Sequence, residues 1–160
     1  MIGTDQLVEY GLHSMFSSIV VGTDGSHTAQ SAVRQAIELA ETLGARLQIV
    51  SAFEPVTDPR QRERLAAPAE EWLVKAREDV LSMLEQAAAQ ARATGVSQVE
   101  TFARQGDAAD AILDVAEEQR CDLVIVGNRG LTGAKRFLLG SVPNKVSQHA
   151  PCSVLIVRAD

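Results

Sequence analysis

Between Val124 and Val142 the chain reads VIVGNRGLTGAKRFLLGSV, and four of its 11 glycines fall there: Gly127, Gly130, Gly133 and Gly140. The chemistry this spacing suits is the grip of a phosphate. Glycine lets the backbone approach an anion closely and present N–H donors to it. A helix starting at Gly140-Ser141 adds the positive end of its dipole, which favours an exposed anion by about 0.3–1 kcal/mol. The pattern is Gly127-x2-Gly130-x9-Gly140-Ser141. It is neither the Walker loop, for which Lys135 is misplaced, nor the dinucleotide fingerprint, since no Gly-x-Gly occurs here. Arg129, Lys135 and Arg136 give the loop a charge of +3 in an acidic chain, which favours phosphate over simple exposure. Asn128 reads as a turn residue in left-handed backbone, which Asn tolerates.

Asp24 is the second candidate. It follows Gly22-Thr23 at the end of an apolar run, where a carboxylate can accept hydrogen bonds from both hydroxyls of a ribose. The plainer reading is a turn-capping Asp in Asp24-Gly25. Little else suggests catalysis. His13, His27 and His149 are dispersed, and no Gly-x-Ser-x-Gly nucleophile elbow occurs. No acidic cluster offers a two-metal site. A nucleotide cradle without a placed base predicts retention of nucleotide with slow or absent hydrolysis, with Mg²⁺ riding on the phosphates rather than in a protein cage.

The elements that must position these residues alternate. Ser17 to Thr23 is a short β-branched run, read as a buried strand, and Ser26 is the candidate N-cap of the helix that follows. Ala29, Ala32, Val33, Ala36, Ile37 and Ala40 recur at helical spacing until Gly44. Arg46 to Phe53 is a second strand. Glu54 to Pro68 reads as a proline-rich loop in which Arg60, Arg62 and Arg64 form a solvated face. A long helix from Ala69 to Thr94 presents Leu73, Ala76, Val80, Leu84, Ala87, Ala88 and Ala91 on one side. Val99 to Ala103 alternates as an edge strand does, and Asp107 caps the next helix. Cys121 to Val126 is a continuous apolar strand, covered on both faces. A helix from Gly140 to His149 stops at Pro151, and Cys152 to Val157 is the fifth strand. Strand–helix alternation implies an α/β fold with an open parallel sheet, helices on both faces, and ligands bound at the carboxyl ends of the strands.

Composition sets the bounds. A chain of 160 residues suits one domain, read as residues 16–160 behind a tail of residues 1–15. A net charge of −6 argues against a nucleic-acid or anionic-membrane partner. No apolar run approaches a membrane span, and the first 15 residues lack the features of a secretion signal. Cys121 and Cys152 read as reduced core thiols of a cytoplasmic protein.

With these motifs the chain resembles the universal stress proteins, over about residues 16–158. Besides the glycine pattern, the resemblance rests on Ile19 to Ser26 (IVVGTDGS), Gly106-Asp107-Ala108 and Cys152 to Val157 (CSVLIV). It implies a five-stranded sheet of order 3-2-1-4-5, the adenine nucleotide alpha hydrolase-like fold. It further implies that Gly22, Thr23 and Asp24 line a nucleoside, that Ala52 lies against adenine and that Gly127 lies beside ribose. Gly130, Gly140, Ser141 and Val142 would meet the phosphates, with Asn128 and Arg129 in the same loop. The ligand implied is ATP with or without Mg²⁺, cyclic AMP or AMP being the alternatives. The role implied is a non-enzymatic stress-response regulator, at most a weak ATPase, that forms a homodimer through strand five. An adenylyl-transferring or ATP pyrophosphatase enzyme of similar fold is the rival, but it would carry Ser-Gly-Gly-x-Asp-Ser where this chain has Gly22-Thr23-Asp24-Gly25-Ser26.

Overall fold

The computed structural model describes residues 15–55, 58–64, 68–129 and 139–159. Of the sequence expectations, the tail up to residue 14, His13, Gly130, Gly133, Lys135 and Arg136 lie outside these residues. Among the described residues there are five strands: β1 (Ser18–Gly22), β2 (Arg46–Phe53), β3 (Val99–Gln105), β4 (Leu123–Gly127) and β5 (Ser153–Val157). They alternate with α1 (His27–Leu43), α2 (Pro59–Arg64), α3 (Ala69–Thr94), α4 (Ala108–Glu118) and α5 (Ser141–His149). All pairings are parallel, and the strand order is β3-β2-β1-β4-β5. The α/β class and the 3-2-1-4-5 order are therefore as expected.

The central strands are apolar on both sides because both sides are covered. Ile19, Val21, Leu47, Ile49, Leu123 and Ile125 face α1 and α3, while Val20, Val50, Val124 and Val126 face α4 and α5. This period-two split of a continuous apolar run is the signature of a sheet between two helical layers. On the α4 side three buried polar groups pair with one another: the Ser18 hydroxyl and the Cys121 thiol both donate to Gln48 Oε1, at 3.3 and 3.4 Å. Both cysteines are free, Cys121 buried and Cys152 half-buried.

Two expectations change. The stretch from Glu54 to Pro68 is not all loop, because Pro59–Arg64 forms α2. Proline suits a first helical turn, and the Asp58 carboxylate accepts the Arg60 N–H at 2.9 Å. The apolar side of α3 is also only partly used. Leu84, Ala88 and Ala91 are buried, but towards the N-terminus Leu73, Ala76 and Val80 are only half-buried, and Val74 and Leu81 are exposed. A 26-residue helix rises about 39 Å at 1.5 Å per residue. The strands beneath it are shorter, so its first turns overhang the sheet.

At the amino ends of the strands Asp122 staples β1 to the start of β4. Its carboxylate accepts the Ser17 and Ser18 N–H groups at 2.9 and 3.1 Å and the Ser17 hydroxyl at 2.9 Å. Burial alone would raise its pKa, but these donors outweigh burial and hold the carboxyl below its ordinary value. A lowered folded pKa contributes stability that is present above the unfolded value, near 3.9, and lost as pH falls through the folded one. Asp122→Asn should therefore destabilise the fold by about 1–3 kcal/mol at pH 7, measured by urea unfolding. The gap from wild type should close as pH falls below 4, and an equal gap at pH 3 would contradict this role.

Candidate functional site

The order β2-β1-β4 means that the chain leaves β1 in one direction and enters β4 from the other. At that reversal, beyond the carboxyl ends of the strands, lies an open crevice with about 540 Å³ of free space. One bank is the turn after β1. The Thr23 N–H extends the ladder by donating to the Val50 carbonyl at 2.9 Å. Thr23 Oγ1 then accepts the Gly25 N–H at 3.2 Å, Asp24 Oδ1 accepts the Ser26 N–H at 2.9 Å, and Ser26 Oγ accepts the Ala29 N–H at 3.2 Å. The result is a stiff turn that holds Asp24 at the edge of the crevice. Gly25 makes it possible, with a φ of +79° that side chains resist.

The opposite bank follows β4. The Asn128 N–H donates to the Val157 carbonyl and the Asn128 carbonyl accepts the Gly140 N–H, both at 2.9 Å. The start of α5 is thereby tied to the ends of β4 and β5. Gly140 occupies the N-cap position of α5 without a side chain to cap it. In α1 and α4 the side chains of Ser26 and Asp107 do that capping. Among the described residues, no side chain caps the first N–H groups of α5, those of Ser141 and Val142. Lys145 fixes this helix against α4, 3.3 Å from Asp107 and 2.7 Å from Asp110. The Asp110 N–H, with help from Lys145, keeps the Asp107 carboxyl below its ordinary pKa, and Asp110 and Asp107 in turn raise that of Lys145.

Seven expected residues line the crevice: Gly22, Thr23, Asp24, Ala52, Gly127, Arg129 and Val142. Asn128, Gly140 and Ser141 frame it without lining it, and Gly130 lies outside the described residues. Asn128 is not left-handed as expected, since Arg120 alone has a positive φ among the described residues other than glycine. It serves instead as a backbone junction. The floor holds residues that sequence reasoning did not single out: Val50 and Ser51 of β2, Ala29 of α1, Ala108 and Ile112 of α4, Val126 of β4 and Pro143 of α5. Only Ser51, a polar residue within an apolar strand, left a signal that could have been read. His27 and His149 are exposed, and neither lines the crevice.

Charge is divided between the banks, with Asp24 on one and Arg129 on the other. The floor between them is mostly apolar. Such a site can take a flat apolar group on the floor, a hydroxyl donor at Asp24 and an anion beside Arg129 and the start of α5. Among the described residues no group of His, Cys, Asp and Glu is placed to hold a metal ion. No helix among them is long and apolar enough to cross a membrane.

Residues 15–158 match the model of the universal stress protein family, and the chain belongs to that family. A universal stress protein of Thermus aquaticus is 40% identical over 145 residues, 90% of this chain and 100% of the relative. A universal stress protein solved in complex with cyclic AMP is 32% identical with a TM-score of 0.69, covering 91% of this chain and 98% of its own. UspA from Lactobacillus plantarum shares the fold with a TM-score of 0.78 at 24% identity, covering 91% and 99% of the two chains.

The two described glycines of the bank after β4 differ in what they do. A Cβ on Gly127 would lie 2.8 Å from Thr28 Cγ2 and 3.1 Å from the Thr28 carbonyl oxygen, so this glycine is needed for α1 to approach β4. A Cβ on Gly140 would meet its neighbours at ordinary contacts of 3.5–3.6 Å. Gly127→Ala should lower stability by about 1–3 kcal/mol, whereas Gly140→Ala should cost only about 0.5 kcal/mol, the loss of a better N-cap residue. Parallel thermal melts check this, and equal losses would contradict it.

Proposed function

We propose that this protein is a cytoplasmic adenine-nucleotide-binding regulator of the stress response that retains ATP in the crevice, with slow or no hydrolysis. The observation that carries the reading is the pairing of Asp24 on one bank with the uncapped start of α5 and Arg129 on the other. Asp24 offers a carboxylate to ribose hydroxyls, and Gly22, Thr23 and Gly127 line the crevice beside it. Ala52 and its neighbours on β2 and α4 form the apolar floor for adenine. The phosphates run toward Gly140, Ser141 and Val142, with Gly130, Asn128 and Arg129 in the connecting loop. Mg²⁺ would be held by the phosphates, since the described residues of the crevice supply no ligand set of their own.

A second reading, with cyclic AMP as the physiological ligand, is favoured by the related protein solved with that nucleotide. The crevice floor and Asp24 serve either ligand, and the difference lies at the phosphate end. Two free thiols suit the reducing cytoplasm.

The reading includes a homodimer built through β5. Both outer strands pair on one side only. β3 carries Glu100 and Arg104, charges that discourage a further strand. β5 reads SVLIV, without a charge, and Val154, Leu155 and Ile156 are only half-buried. Such an edge invites a second copy.

Calorimetric titration with ATP and with cyclic AMP tests the binding reading. Asp24→Ala should weaken binding of the preferred nucleotide by about tenfold or more, since a hydrogen bond to a charged group is worth about 1.5–3 kcal/mol. An unchanged dissociation constant would reduce Asp24 to a turn residue. Sedimentation tests the dimer: wild type should run as a dimer and Ile156→Lys as a folded monomer. A wild-type monomer at micromolar concentration would remove β5 as a seam.

A further inference from the structure

The turn that carries Asp24 has a second side. Behind it, between α1 and α3, lies an open groove with about 650 Å³ of free space, walled by Thr23 and Gly25 of the turn, Arg34 of α1, and Met83 and Gln86 of α3. Thr23 is shared, lining both this groove and the nucleotide crevice. Met83 lies outside the core clusters and is half-buried, its side chain set against the turn. A Cβ built on Gly25 would come within 2.9 Å of Met83 Sδ. The sulfur thus fills the space a side chain at Gly25 would need, against backbone already at a φ of +79°.

Resting on the nucleotide reading above, we propose that Met83 is an oxidation site through which peroxide weakens nucleotide binding. A lone pair on Sδ attacks one peroxide oxygen, an S–O bond forms and the O–O bond breaks. Hydrogen peroxide leaves as water once the departing oxygen is protonated, the sulfur losing the two electrons that the peroxide gains. The product is a sulfoxide, bulkier by one oxygen and strongly polar. A sulfoxide swung into the open groove would leave the turn in place, but kept against Gly25 its added oxygen shifts the turn. The hydrogen bonds from Gly25 N–H to Thr23 Oγ1 and from Ser26 N–H to Asp24 Oδ1 shift with it, and they hold Asp24 in place. The thiols are poorer targets. Burial raises the pKa of both Cys121 and Cys152, keeping them protonated, whereas a thioether needs no deprotonation. Met15 is 63% exposed and open to peroxide, but it precedes β1 at the opposite end of the sheet from the crevice.

The test treats the full chain with hydrogen peroxide, maps sulfoxides by peptide mass spectrometry, and titrates ATP and cyclic AMP before and after. Met83 should be oxidised and affinity for the preferred nucleotide should fall about tenfold, the scale of one charge-assisted hydrogen bond. Methionine sulfoxide reductase should restore it. Met83→Leu, a near volume-conserving change, should bind like wild type and keep its affinity after peroxide. The proposal is overturned if Met15 is oxidised while Met83 is not. It is equally overturned if affinity survives Met83 oxidation, or if Met83→Leu loses as much as wild type. Should untreated protein bind neither nucleotide, the nucleotide reading fails on its own, and amide exchange then decides the oxidation site. Faster exchange at Gly25 to Ala29 in oxidised wild type but not in oxidised Met83→Leu sustains the switch, and unchanged exchange overturns it.

Discussion

The parallel pairing of β1 with β2 on one side and β4 on the other is the constraint from which the rest follows. Parallel neighbours need crossovers, and crossovers on a twisted sheet keep one hand. Moving outward from β1 to β2 and β3 therefore puts α1 and α3 on one face, and returning to β4 and β5 puts α4 and α5 on the other. The connections diverge only beyond β1 and β4. None of the described helices covers that spot, so topology leaves a crevice there.

Side chains then give the crevice its character. The turn after β1 spends its own hydroxyls and carboxylate on its backbone N–H groups, which makes it rigid. The start of α5 does the reverse, because Gly140 contributes no side-chain cap to its first N–H groups. A rigid bank bearing a carboxylate faces a donor-rich bank bearing Arg129, and the two sit on one sheet. Asn128 ties the second bank to Val157 at the end of β5 through a single backbone hydrogen bond. The edge strand and the crevice thus share a structural joint.

Much of this was legible in the residues. Continuous apolar runs at β1 and β4 announce strands covered on both faces, and Ser26, Gly44 and Asp107 mark helix ends by the chemistry of their caps. Asp24 and Gly127, a hundred residues apart, could be assigned to one site only through the strand order. Periodicity does not encode that order, and the family resemblance supplied it. What stayed hidden depends on tertiary contact. Ile112 and Pro143 look like ordinary core positions, and nothing local says that the core ends at a crevice. Gly127 looks like a ligand glycine, yet the close approach of Thr28 already demands it. Proline-rich composition masked α2. The apolar stripe of α3 promised more burial than the sheet beneath it can provide.

The central claim is that the crevice at the β1–β4 reversal is an adenine-nucleotide site, and a crystal structure grown with excess ATP tests it most directly. The expected result places adenine on the β2 floor beside Ala52, ribose hydroxyls against the Asp24 carboxylate and phosphates at the first turn of α5. An empty crevice under saturating ATP, or ATP bound elsewhere on the protein, would contradict it.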